Sequence, residues 1–314
     1  MTLLPTDYGT VVIAVLTYQR PDDIALVLPR LLEQAASVSI KASVLVVDND
    51  PGGNARSVVE SFDSPNLRYA NETHPGISAA RNRALAESVG TDLLAFIDDD
   101  ELPVENWLNF LLAQYAITQP AAVVGPVISE YAHKPSAWIE EGEFFQRRRL
   151  ASGTERPAAA TNNLLLDLRQ IRAMGLTFDE RFGLSGGSDT LFTRQIVEKG
   201  GRIVWCNDAV VIDRVPSSRL TQQWILRRSL RSGNSSSRVA IELASDHKER
   251  LLVRVVLAVR GGIRMVTGTA RFLIGLPFKT ARHRAKGLQT TARGVGMLSG
   301  AFGYVYSEYR RKSK

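Results

Sequence analysis

Over the first hundred residues, short apolar runs alternate with stretches of helical spacing. Val11–Leu16 is six apolar residues rich in β-branched side chains, which predicts a strand buried on both faces. Pro21-Asp22-Asp23 supplies helix-start chemistry, and Ile24–Gln34 follows as a helix that Pro29 should bend or shorten. Ser43–Val47 predicts a second strand, closed by the turn sequence from Asp48 to Gly53. A helix near Asn54–Phe62 and a strand near Leu67–Ala70 come next, and Ser78 can cap a helix reaching about Val89. Leu93–Ile97 is another apolar strand; it stops at Asp98-Asp99-Asp100-Glu101, before a helix at Val104–Gln114. This alternation with short connections predicts a mostly parallel sheet flanked by helices.

The middle is less regular. Ala121–Ile128 and Ala160–Leu166 predict strands, and Gly183–Asp189 is a glycine-rich loop entering a helix near Thr190–Lys199. Arg202–Trp205 and Ala209–Ile212 predict short strands, and from about Leu220 the chain reads as helical. In open sheets of this kind, ligands bind at the carboxyl ends of the strands. Thr17–Arg20, Asp48–Asp50 and Asp98–Glu101 fall at such ends, which points to a nucleotide-type pocket.

Four consecutive acids after a buried strand repel one another. They suit a solvated helix start, and they also suit a Mg²⁺ or Mn²⁺ site, since both ions take oxygen ligands and share them with phosphates. On an extended segment the spacing of Asp98 and Asp100 puts both carboxylates on one side, one toward a sugar or ribose hydroxyl, the other toward the metal. Asp189 follows two glycines that allow a carboxylate to approach a ligand closely, although Ser188-Asp189 also suits a helix cap. Arg81 falls in the first turn of its helix, where the dipole disfavours a cation, so an anionic partner is expected for it.

The segments 12–21, 44–49, 76–82, 96–101 and 186–192 occur in an order and spacing that resembles the family 2, GT-A-fold inverting glycosyltransferases. The likeness covers roughly residues 8–240, and within the family it leans toward bacterial exopolysaccharide enzymes of the succinoglycan glucosyltransferase type. It implies a metal-dependent hexosyltransferase that moves a hexose, glucose by this likeness, from a nucleotide-sugar, a UDP-sugar, to a lipid-linked saccharide. Thr17, Arg20 and Asp48 would meet the nucleotide, Arg81 the donor, and Asp98 the ribose or sugar. Asp100, with Asp98, would hold the metal, and Asp189 would be the catalytic base. The family commonly carries Glu-Asp or Asp-Asp where this chain has Ser188-Asp189. By the resemblance Trp224, Arg227, Arg228 and Arg231 would line the acceptor or diphosphate site; Asn162-Asn163, and so Asn163, suits the acceptor site and equally a cap where a loop enters a strand.

Charge divides the 314 residues unevenly. Residues 248–314 hold 15 Lys and Arg against two acids, Glu249 and Glu308, for a net +13; the first 247 residues are net −6. Residues 1–240 are therefore expected to form the catalytic domain, and 241–314 a basic amphipathic helical tail that attaches to a membrane surface. Arg254, Arg260, Arg264 and Arg271 fall on one arc of a helix near 251–274, opposite Val255, Val259, Ile263, Val266 and Leu273. A second segment, about Ala285–Tyr309, ends in Tyr304, Tyr306 and Tyr309 before Arg310-Arg311-Lys312. The start lacks a basic leader region and no stretch of 18 apolar residues occurs, so the expected location is cytoplasmic, peripheral on the inner face of the cell membrane. The lone cysteine, Cys206, excludes a disulfide framework. A sugar nucleotidyltransferase would carry a glycine-rich basic loop after the first strand, and Thr17-Tyr18-Gln19-Arg20 is not one. A nucleic-acid binder using the tail leaves the ordered carboxylates unexplained, and no nucleic-acid partner is expected.

Overall fold

In the computed structural model the first apolar run becomes β1 (Thr10–Thr17), in a structure that describes residues 8–277 and 280–307. In chain order there follow α1 (Pro21–Ala36), β2 (Lys41–Asp48), α2 (Arg56–Glu60), β3 (Leu67–Asn71), α3 (Ile77–Glu87), β4 (Leu93–Asp98) and β5 (Glu101–Pro103). Next come α4 (Trp107–Thr118), β6 (Ala122–Val124), β7 (Val127–Tyr131), α5 (Ala137–Gly142), β8 (Asn163–Asp167) and α6 (Leu168–Ala173). The chain continues with α7 (Ser188–Glu198), β9 (Ile203–Trp205), β10 (Val211–Val215), α8 (Gln222–Glu242), α9 (His247–Ile274) and α10 (Ala281–Ala301). Two units share these elements. The first comprises the chain up to Ile128 with Arg147–Gly183 and Ser188–Arg214; the second comprises Ser129–Gln146, Leu184–Gly187 and the chain from Val215.

The first unit is built on a seven-stranded sheet ordered β3-β2-β1-β4-β8-β6-β9. The pairs β1–β2, β1–β4, β2–β3 and β6–β9 are parallel, while β8 runs antiparallel to both its neighbours. Successive residues of β1 feed opposite cores. Val11, Ile13 and Val15 pack with α1 and α4 through Leu28, Leu31, Trp107 and Leu111. Val12, Ala14 and Leu16 pack on the other face with Ala80 and Ala84 of α3 and Phe192 and Ile196 of α7. Helices on both faces require β1 to be apolar throughout, and this is why its sequence does not alternate.

Several local expectations change. Pro29 does not shorten α1, which runs unbroken for 16 residues. Pro29 lies on the exposed face, as does Ala25 four residues earlier, so the carbonyl that loses its partner faces water. Ser78 does not cap α3: the cap position is Gly76, and the Ser78 hydroxyl donates to the Asp179 carbonyl. The run 121–128 divides at Gly125-Pro126 into β6 and β7, which lie in different sheets. A Cβ at Gly125 would come within 2.1 Å of the Ala209 carbonyl oxygen and 2.5 Å of Asn163 Nδ2, so only glycine fits.

Asn163 causes that crowding. It is fully buried, donates from Nδ2 to the carbonyls of Pro126 (3.0 Å) and Ala209 (2.7 Å), and accepts from Trp107 Nε1 (2.9 Å). One amide thus joins β8, the β6–β7 break and α4. Asn163→Ala strands one buried N–H and two carbonyls, each costing about 1–3 kcal/mol unpaired. The expected loss is about 3 kcal/mol or more, read as a lower melting temperature by circular dichroism, with Gly125→Ala falling in the same direction. An unchanged melting temperature in both variants would refute this role.

Candidate active site

The strand register brings three polar strand ends together. Thr17 pairs with Asp48 across β1 and β2, and Leu16 pairs with Asp98 across β1 and β4. The acids after β4 do not stay extended: Asp99 and Asp100 form a turn, so the Asp-x-Asp spacing does not act through strand alternation. The turn has a visible cause. Thr17 Oγ1 donates to Asp99 Oδ2 (2.8 Å), and Arg20 Nη1 donates to Asp99 Oδ1 (2.9 Å) and Asp100 Oδ2 (3.2 Å). These bonds draw Asp99 inward to 5% exposure. Glu101 then starts β5, buried, with Oε1 accepting from Asn162 Nδ2 (2.6 Å) and Oε2 buried without a hydrogen-bond partner. Asp98 and Asp100 remain half-buried.

Charge in this cluster is only partly offset. Burial, with the charges of Asp100, Asp99 and Asp189 and against the pull of Arg81, raises the Asp98 carboxyl to about 7. Burial likewise lifts Asp99 to about 6 against the pull of Arg20 and Thr17. Glu101 is pushed well above the usual carboxylate range by burial and by Asp98. An oxygen-only cluster short of positive charge fits Mg²⁺ or Mn²⁺. Among the described residues no group of three or more His, Cys, Asp and Glu is arranged to hold a metal alone. A cation here would therefore complete its shell with ligand oxygens and water, as Mg²⁺ does beside phosphates.

Arg81, expected in the first turn, is the fifth residue of α3 because the helix starts at Ile77, and it has the anionic surroundings expected of it. Its field acts on Asp98, its Nη1 donates to Ser188 Oγ (2.6 Å), and its guanidinium stacks over the Phe178 ring at 5.4 Å. Gly186 and Gly187 adopt φ of +79° and +96°, the left-handed region open to glycine, just before α7 begins. Asp189 follows in the first turn of α7, half-buried, with Oδ1 accepting from the Thr190 backbone N–H (2.7 Å) and its other oxygen outside that bond. Asp98, Asp99, Asp100, Asp189, Arg20 and Arg81 thus form one electrostatic group.

Other expected residues lie elsewhere. Asp48 is fully buried: Oδ1 accepts from the Asp50 N–H, and Oδ2 from the Ala55 N–H and the Tyr69 hydroxyl. It shapes the loop after β2 instead of presenting a carboxylate. Asn163 is the buried joint described above, because its amide is consumed by the fold, so it does not line an acceptor site. Trp224, Arg227, Arg228 and Arg231 belong to α8 in the second unit. There Trp224 stacks on Phe145 (5.8 Å, 11° between planes), Arg228 lies over Trp224 at 5.1 Å, and Arg227 is exposed. Asn162 was not foreseen as a partner for Glu101; only the pairing of β8 with β4 brings it there.

Residues 12–168 match the family model described as glycosyl transferase family 2. The chain is also 32% identical over 307 residues to the succinoglycan biosynthesis protein ExoM of Rhizobium meliloti (strain 1021), covering 96% of this chain and 95% of that one. The chain belongs to glycosyltransferase family 2. Solved structures agree on the fold of this family 2 glycosyltransferase. The mannosyltransferase PcManGT from Pyrobaculum calidifontis, in complex with GDP-Man and Mn²⁺, matches with a TM-score of 0.58 at 18% identity, over 92% of this chain and 87% of that one. GalNAc-T7 with UDP, GalNAc and Mn²⁺ gives 0.54 at 12% identity over 78% of this chain; the matched part is half of that longer chain. The expected GT-A fold, a mostly parallel sheet flanked by helices with a helical C-terminal extension, is therefore the one found.

The Asp98 cluster makes stability depend on pH. A carboxyl raised from 3.8 to about 7 holds its proton longer when folded, so it costs stability as pH climbs through that interval, and the full cost is present above it. Asp98→Asn in this glycosyltransferase should raise the melting temperature at about pH 8 by up to about 10 °C, since a rise from 3.8 to about 7 corresponds to about 4 kcal/mol and each kcal/mol is worth roughly 2–4 °C for 150–250 residues. At about pH 4 the two proteins should melt together. Scanning calorimetry at both pH values decides it, and an equal shift at both would sink the assignment.

Proposed function

We propose that this family 2 enzyme transfers a hexose, glucose, from a UDP-sugar to a lipid-linked saccharide, with inversion, in exopolysaccharide or cell-envelope glycan synthesis. The observation that carries the reading is the grouping of Asp98, Asp100 and Asp189 around Arg81 at the carboxyl edge of the sheet. The family membership and the likeness to a succinoglycan biosynthesis protein support the exopolysaccharide setting. The solved structures with UDP or GDP-Man support a nucleotide-sugar donor, and their Mn²⁺ supports a divalent metal.

In this reading Thr17 and Arg20 border the nucleoside, and Asp48 acts through the loop it holds. Asp98 accepts from a ribose or sugar hydroxyl, and Asp98 and Asp100 would hold Mg²⁺ or Mn²⁺. When bound, such an ion would supply positive charge for the leaving diphosphate. Arg81 balances Asp98 from the protein side. The acceptor oxygen attacks the anomeric carbon, the bond from that carbon to the diphosphate oxygen breaks on the opposite face, and Asp189 takes the hydroxyl proton. One base suffices for this single displacement.

Two variants test the roles. Asp189→Asn should reduce transfer at least ~10²-fold, the usual loss with a general base, while UDP binding changes no more than a few-fold. Asp100→Ala should abolish turnover and weaken metal-dependent UDP binding in titration calorimetry. A donor-hydrolysis screen over UDP-, GDP- and dTDP-sugars with Mg²⁺ or Mn²⁺ reads the donor. Near-normal transfer by Asp189→Asn, or full activity in excess chelator, would overturn the mechanism.

A further inference from the structure

Helix α9 turns its apolar side outward. At 1.5 Å per residue its 28 residues span about 42 Å. Leu252, Val255, Val259, Ile263, Val266 and Leu273 are 54–70% exposed, and at 100° per residue they fall within about 80° of arc. The opposite side, with Leu257, Gly261 and Gly268, is buried against α10. That contact is backbone on backbone. A Cβ added at Gly268 would lie 2.8 Å from the Gly287 oxygen, one at Gly294 2.7 Å from the Gly261 oxygen, and one at Gly287 2.6 Å from the Phe272 nitrogen.

A helix pair folded by water buries its large aliphatic residues and exposes its small and polar ones. Here Gly261 and Gly268 are inside beside Leu257, and Leu252, Val255, Val259, Ile263, Val266 and Leu273 are outside. Glycine-to-glycine packing of helices is what remains favourable where the surrounding medium is itself apolar. No helix among the described residues is long and apolar enough to cross a membrane. A helix of this length with one apolar face instead suits the plane of the interface.

Charge selects the occupant of the face. Residues 247–301 carry eleven Lys and Arg and a single acid, Glu249. Arg254 and Arg264 are partly spent on α10, donating to the Ala301 carbonyl and the Met297 sulfur, while Arg250 and Arg260 are exposed. A second copy docked face to face would bring like charge onto like charge. An anionic bilayer is complementary both to the aliphatic stripe and to its cationic flank. Phe302 and Tyr304, exposed just past α10, add aromatics of the kind that settle at headgroup depth. Tyr309 and Arg310-Arg311-Lys312 lie outside the described residues.

We infer that α9 and α10 form a glycine-knit hairpin that lies in the plane of an anionic membrane, with the outward stripe of α9 sunk below the headgroups. The inference is independent of the catalytic reading. The test uses the full chain in co-sedimentation with phosphatidylcholine vesicles, with and without about 30 mol% phosphatidylglycerol, at about 0.1 M NaCl. Binding is expected for the anionic vesicles, falling at least ~10-fold in V259E/I263E, two changes on the exposed face that leave the glycine contact intact. A solvatochromic label on Val259→Cys, with Cys206 buried, should shift to the blue when the anionic vesicles are added. Vesicle binding that V259E/I263E leaves unchanged, or a label that does not shift, overturns the inference. So does a chain that ignores the vesicles and sediments as a dimer which V259E/I263E separates; the stripe would then be a self-interface.

Discussion

Repulsion among the four acids that end β4 is the constraint around which the catalytic unit is arranged. A strand whose residues 93–97 are almost wholly buried delivers Asp98, Asp99, Asp100 and Glu101 to a place with little water to screen them. Each acid meets a different remedy. Thr17 and Arg20 hold Asp99, Arg20 also reaches Asp100, Asn162 holds Glu101, and Arg81 balances Asp98. The compensation is incomplete at Asp98, whose carboxyl stays near 7, and at Glu101, which burial and Asp98 push well above the usual carboxylate range. A site that stabilised itself fully would have no affinity left for a cation and a diphosphate, and this one stops short of that.

The sequence announced what depends on short-range pattern. The strands β1 to β4, the alternation of strands with helices and the strand-end location of the acids are all legible, because a strand buried on both faces has to be written as an unbroken apolar run. What escaped depends on partners far along the chain. The turn at Asp99 is set by Thr17 and Arg20, 82 and 79 residues away, and the place of Arg81 by Ser188, 107 residues away. Asn163 reads as a pocket residue because nothing local to the Asn162-Asn163 pair gives it a reason to be buried. Its reason is the pair of carbonyls at Pro126 and Ala209 and the indole of Trp107.

The tail shows the complementary difficulty. Its periodicity predicts one aliphatic and one basic side for α9, and both occur, but periodicity does not say which side faces inward. The glycines decide that. Gly261 and Gly268 are seven residues apart, as are Gly287 and Gly294, so each pair returns to nearly the same face. The close approach they permit leaves no gap there for a valine or a leucine to fill. Backbone proximity, more than hydrophobicity, fixes the rotation of α9 and thereby leaves its aliphatic side uncovered.

Ser188 completes the logic of the carboxylate group. A carboxylate at this position would bind Arg81 as an ion pair, and the guanidinium charge would be neutralised locally. Asp98 would lose the one cation that opposes its protonation from that side, and a fifth acid would join Asp98, Asp99, Asp100 and Asp189. A hydroxyl accepts the Arg81 N–H at 2.6 Å without adding charge. It fixes the guanidinium in place and leaves its field directed at Asp98. The departure from an acidic pair at 188–189 therefore keeps a single half-buried carboxylate, Asp189, at the start of α7. The serine is the means by which Arg81 serves the acids after β4 and still anchors the helix that carries Asp189.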